Sequence, residues 1–99
     1  MDKDEAVRKA RQYLKKVSDF LEYERAYLFG SHAASTQREE SDIDIAIFIK
    51  IPDDEYFPLL KKLYSARWGV DVRIEPHLFT PDGDASGFSD EIRRTGIRL

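Results

Sequence analysis

Cysteine is absent from this chain, which excludes disulfides and thiolate metal sites and fits a reducing cytoplasm. No apolar run approaches the length of a membrane span. The N-terminus opens on acids and bases, Met1-Asp2-Lys3-Asp4-Glu5, rather than on the apolar core of a secretion signal. The expectation is a cytoplasmic protein without membrane association. An excess of positive charge is missing too. The net charge of −3 argues against a polynucleotide partner, because neutralising phosphates dominates such binding. A small molecule or a protein suits it better as substrate. Repeats and low-complexity linkers are lacking, and 99 residues suit one domain spanning 1–99, with no room for a large added substrate-binding subdomain.

What is present reads as helices alternating with strands. Val7, Ala10, Leu14, Val17 and Leu21 recur at helical spacing behind the capping pair Asp2 and Glu5, which predicts an amphipathic helix to about Tyr23 packed on a sheet. Ala26-Tyr27-Leu28-Phe29 is a short buried strand ending at Gly30, and Ser31 to about Thr36 suits a brief helix. Ile43 to Ile49 is too apolar and β-branched for an exposed strand and reads as central. After the turn at Pro52-Asp53-Asp54, a helix from Tyr56 to Trp68 carries Phe57, Leu60, Leu63, Tyr64 and Trp68, with the aromatics expected in the core and Tyr56 and Phe57, alternatively, facing a partner. Val70 to Glu75 alternates as a third strand, which Pro76 weakens without forbidding continuation to Leu78-Phe79. Pro81 to Gly87 is a loop, and Ser89 to Thr95 a closing helix stopped by Gly96. The fold class is α/β (α+β), a small mixed sheet covered by helices.

One pattern stands out. Gly30-Ser31 is followed by ten residues and then Asp42-Ile43-Asp44. In a strand, Asp42 and Asp44 point to the same side, roughly 6.6–7 Å apart at the backbone. Two such charges repel, and a divalent cation between them removes the repulsion; hard oxygen ligands suit magnesium. The Gly-Ser turn can offer backbone N–H groups and a hydroxyl to phosphate oxygens. Asp71 supplies a third acid if its strand neighbours that of Asp44, with Glu75 on the same face as a second candidate. Three carboxylates can hold two Mg2+ ions, a set that serves phosphoryl or nucleotidyl transfer. Each part alone has a plainer reading: Gly-Ser is ordinarily a turn, Asp42 a solvated residue, and Asp71 an ion-pair partner of Arg73 or Arg67. Asp44, flanked by Ile43 and Ile45, is costly to bury unless paired or metal-bound. His32 reads as a polar surface residue, His77 as structural or exposed, and Lys61, Lys62 and Arg67 as a solvated helix face.

Gly30-Ser31-x10-Asp42-x-Asp44, with Asp71 inside Val70-Asp71-Val72-Arg73-Ile74, resembles the DNA polymerase β-type nucleotidyltransferase superfamily. The resemblance is greatest to its minimal single-domain (MNT) branch, which is encoded beside HEPN-domain toxins. It runs from the leading helix to the closing Ser89–Ile97 segment. It implies the polymerase β-type fold, Gly30 and Ser31 on the triphosphate, Asp42 and Asp44 on both metal ions, and Asp71 on the catalytic ion and the acceptor hydroxyl. Where the family carries Arg or an aromatic, then Ala, a variable residue and Gly, this chain has His32-Ala33-Ala34-Ser35. His32 removes a fixed positive charge and Ser35 restricts the backbone.

The resemblance implies an Mg2+-dependent enzyme that moves AMP from ATP onto a hydroxyl, on a tyrosine of a HEPN-type partner. A chain without a second domain lacks a wall for a small acceptor, and a partner protein would supply it. Two rivals stand beside it: an antitoxin that neutralises its partner by docking with little or no catalysis, and a small-molecule nucleotidyltransferase. A homo-oligomer is compatible with all three.

Overall fold

The computed structural model describes residues 1–33, 41–81 and 87–99. Its centre is the strand pair that the apolar runs demand. β1 (Arg25–Phe29) and β2 (Ile43–Phe48) are antiparallel, and β2 pairs in parallel with β3 (Ile74–Phe79). A two-residue strand, β4 (Ile97–Arg98), adds to the other side of β1, giving the order β3-β2-β1-β4. This mixed sheet with three helices is the small α+β fold expected. On one side of β2, Ile43, Ile45 and Ile47 pack with residues of α1 (Lys3–Val17) and α2 (Tyr56–Ala66). On the other, Ala46 and Phe48 pack with Tyr27, Phe29 and Ile92 of α3 (Phe88–Thr95). Both faces of β2 are covered, which is why its sequence is a nearly unbroken apolar run.

α1 begins where expected: the Asp2 carboxylate accepts the Glu5 N–H at 2.8 Å. It ends at Val17, a turn and a half earlier than the apolar spacing suggests. Ser18 and Asp19 explain the stop. The Ser18 hydroxyl bonds back to the Leu14 carbonyl at 2.9 Å, and an anion at position 19 opposes the negative end of the helix. α2 follows a 3₁₀ turn over Asp53–Glu55 and buries only Leu63 and Ala66. Phe57 and Trp68 are 75% and 65% exposed, so the expectation that they belong to the core is corrected. Phe57 lies six residues from Leu63, about 120° round the helix, and Trp68 lies beyond its end.

The third strand starts four residues later than its alternation predicts. Residues 70–73 form a turn off the end of α2, with the Val70 and Asp71 N–H groups both donating to the Arg67 carbonyl. β3 then runs through Pro76 to Phe79. Proline is tolerated because β3 is an outer strand of the sheet. Residues 31–33 form a turn, and the rest of the brief helix expected to Thr36 lies outside the described residues. Most of the loop expected over 81–87 lies outside them as well.

One buried hydrogen bond ties the two helices of this layer together. The Tyr13 hydroxyl donates to the Leu63 carbonyl at 2.6 Å, one of the last four carbonyls of α2, which lack helical partners of their own. Burial holds the phenol well above its usual pKa, so it stays a donor at all working pH. Tyr13→Phe leaves that carbonyl unsatisfied and should cost about 1–2 kcal/mol, read as a lower urea midpoint with an unchanged m-value.

Candidate functional site

The site grows from the alternation of β2. Ile43 and Ile45 face α1 and α2, so Asp42 and Asp44 face the α3 side. The parallel register sets Glu75 directly beside Asp44 and His77 beside Ala46. On the other side, the antiparallel register sets Phe29 beside Asp44, and Gly30 follows it. Gly30 has φ +76°, and a Cβ there would lie 2.5 Å from Asp44 Oδ2. Both the left-handed turn and the closeness of the carboxylate require glycine. The Gly-Ser turn and the second aspartate of the motif, fourteen positions apart, are thus in contact.

Asp42, Asp44 and Glu75 crowd one another. Burial pushes the Glu75 carboxyl above its usual value, a hydrogen bond with Asp42 pushes it further, and the charges of Asp44 and Asp42 add to this. A divalent cation bound among them would relieve this crowding. His77 moderates the crowding: its Nε2 lies 3.2 Å from Asp44 Oδ1 and its charged form would favour an ionised Glu75. The ring is held edge-on to Phe29 with centroids 5.0 Å apart. One ligand atom each from Asp44, Glu75 and His77 lie within 4.8 Å of one another. Carboxylates backed by a cradle with no room for a Cβ fit a divalent cation.

Asp71 stands apart from this group. It sits in the turn before β3, where Oδ1 accepts the Arg73 N–H at 2.8 Å and Arg73 Nε at 2.9 Å. Its Oδ2 accepts Lys9 Nζ of α1 and a second Arg73 nitrogen, both at 2.7 Å. Arg73, then Lys9, hold the Asp71 carboxyl far below the usual carboxylate range. Asp71 lies in the turn ahead of β3, and on the strand itself Glu75 occupies the position facing Asp44. The plainer reading of Asp71, an ion pair with Arg73, describes its surroundings.

The two histidines differ from expectation in opposite ways. His32 is fully buried, and neither ring nitrogen has a hydrogen-bond partner among the described residues. The ring is therefore not on the surface, as expected of it, but inside. Ser35, the other departure from the family pattern, lies outside the described residues. His77 sits among the acids, and the signal for it was present: Glu75-x-His77 repeats, one strand over, the same-face spacing of Asp42-x-Asp44. A groove of about 770 Å³ lined by Phe20, Pro58, Lys61 and Ala66 lies on the α1–α2 side and contains none of the acids.

Comparison with known proteins bears on the family and the fold. The model of the family described as polymerase beta, nucleotidyltransferase matches residues 8–99. A Methanocaldococcus jannaschii protein that carries the name of a protein adenylyltransferase is 27% identical over 101 residues, spanning 96% of this chain and 99% of its own length. Two crystal structures share the fold. A toxin–antitoxin complex with AMP-PNP has a TM-score of 0.53 at 21% identity, covering 99% of this chain and 72% of that one. A mutant of the toxin–antitoxin MntA-HpeT has a TM-score of 0.51 at 20% identity with the same coverage.

Asp71 and Glu75 should respond oppositely to loss of charge. The lowered pKa of Asp71 gives stability that is complete above its ordinary value of 3.8 and is lost as pH falls from there through the lowered one. Asp71→Asn should therefore destabilise at pH 7 by about 1–3 kcal/mol, with the gap to the parent narrowing under acid in denaturant titrations. Glu75 has a raised pKa, so its ionisation costs stability as pH rises above the ordinary 4.5. Glu75→Gln should stabilise the metal-free protein at pH 7, and a lower melting temperature would contradict the crowding described.

Proposed function

The chain belongs to the polymerase β nucleotidyltransferase family, and we propose that it transfers AMP from ATP, with Mg2+, to a hydroxyl on a HEPN-type partner toxin. The observation that carries this reading is the meeting of Asp42, Asp44 and Glu75 beside the Gly30 turn. In it, the whole chain acts as one minimal domain in the cytoplasm, where ATP is at hand. The fold shared with toxin–antitoxin complexes and the relative named for protein adenylyl transfer support a protein acceptor. So does the open setting of the acids, which leaves a second molecule to complete the acceptor side.

Asp42 and Asp44 would hold the cations, with Glu75 in the place first given to Asp71; a divalent cation there would supply positive charge against the triphosphate and the acceptor oxygen. The backbone of Gly30 and the hydroxyl of Ser31 orient the phosphates, because the missing Cβ lets them come up against Asp44. The acceptor oxygen attacks the α-phosphorus, the bond to the bridging oxygen breaks, and pyrophosphate leaves with the electron pair. The proton of the acceptor passes to the carboxylate nearest it, in this reading Glu75. Asp71 keeps the turn before β3 in place and touches no substrate.

Incubation with ATP, Mg2+ and the product of the adjacent gene should add the mass of AMP to that partner. Asp42→Asn, Asp44→Asn and Glu75→Gln should each lower the rate about a hundredfold or more, whereas Asp71→Asn, corrected for its folded fraction, should stay within about threefold. Loss of transfer in Asp71→Asn with retention in Glu75→Gln would reverse the assignment of the third acid. Neutralisation of the toxin that survives in all four variants would favour an antitoxin that acts by docking.

A further inference from the structure

The proposed reading needs oxygen ligands alone, yet the acids share their place with an imidazole. His77 is on the same face of β3 as Glu75, its Nε2 points at Asp44, and its ring is fixed by Phe29. The 3.2 Å between Nε2 and Asp44 Oδ1 is close to the edge of a coordination octahedron, about 3 Å when bonds are about 2.1 Å. Glu75 completes a set of three ligand atoms within 4.8 Å of one another, small enough for one ion. We propose that His77 ligates, through Nε2, a divalent first-row transition ion shared with Asp44 and Glu75, and that this centre favours such an ion over Mg2+.

The inference rests on the reading above that these acids hold a cation, and adds the identity of a ligand and of the ion. Imidazole is a softer donor than carboxylate. Magnesium binds hard oxygens and keeps its waters, whereas the first-row transition ions accept nitrogen readily. Ligation through Nε2 requires the neutral ring with its proton on Nδ1. Nε2 and Asp44 Oδ1 already face each other at 3.2 Å, so an ion between them takes the place of their hydrogen bond. The ring is one-third exposed, so the ligand can be reached from solvent.

Mn2+ alone, without ATP or partner, is the probe. Electron spin-echo modulation of Mn2+ bound to the whole chain should show coupling to a 14N nucleus. The His77→Leu variant should still bind Mn2+ through the acids, without that coupling. Calorimetric titrations should give a ratio of Mn2+ to Mg2+ affinity that falls about tenfold in His77→Leu. His77→Leu occupies a half-buried strand position with a side chain of similar bulk, and its thermal melt establishes that it is folded. Bound Mn2+ without nitrogen coupling, or with coupling that persists in His77→Leu, overturns the assignment of His77 and leaves the acids as a cation site. No Mn2+ binding, or binding indifferent to Asp42→Asn and Asp44→Asn, overturns both.

Discussion

Crowding of negative charge around Asp44 is the constraint from which the other arrangements follow. β2 must cross the middle of the sheet with both faces covered, and it carries an acid in the middle of its apolar run. The parallel register then adds Glu75, and Asp42 adds a third charge one pleat away. At about 4 Å, two like charges near a protein surface repel by about 4 kcal/mol. The fold meets this in two ways: an imidazole stands beside Asp44, and Gly30 gives the carboxylate room. Each of these is also what a cation and a phosphate would need, so the same features that make the crowding tolerable prepare the centre for a ligand.

The other layer shows what a carboxylate does when its neighbours differ. Asp71 is as acidic in sequence as Asp44, but it meets Lys9 from α1 and the side chain and N–H of Arg73. Its charge is consumed in fixing where β3 begins. Since Ile74 follows three residues later, that fixation also sets which residue of β3 lies opposite Asp44. The structural acid and the acids of the site are thereby linked through the start of β3.

Much of this was legible in the sequence. Gly30-Ser31-x10-Asp42-x-Asp44 could be read because a strand's period of two is insensitive to its ends, and the apolar run of β2 announced a central strand. α1 was legible at its start, where Asp2 caps it, and less so at its end, where Ser18 and Asp19 overrule a continuing stripe. The third acid was ambiguous because Val70 to Glu75 alternates as well as any strand. The turn that replaces its first half is held by Arg73, by the Arg67 carbonyl and by Lys9, sixty-two residues away, and the last of these no local pattern encodes. His77 was passed over because its same-face spacing with Glu75 gains meaning only once β2 pairs with β3. β4 is two residues long and exists through its pairing with β1, below what periodicity can detect.

Pro76, between Glu75 and His77, has one more effect. β3 is outermost, and its free side would ordinarily invite another chain to line up against it and lengthen the sheet. A residue with no amide hydrogen leaves a gap in that row of bonds. Whatever approaches this rim has to grip side chains rather than backbone, so recognition there can depend on the identity of the visitor's residues instead of on its willingness to extend.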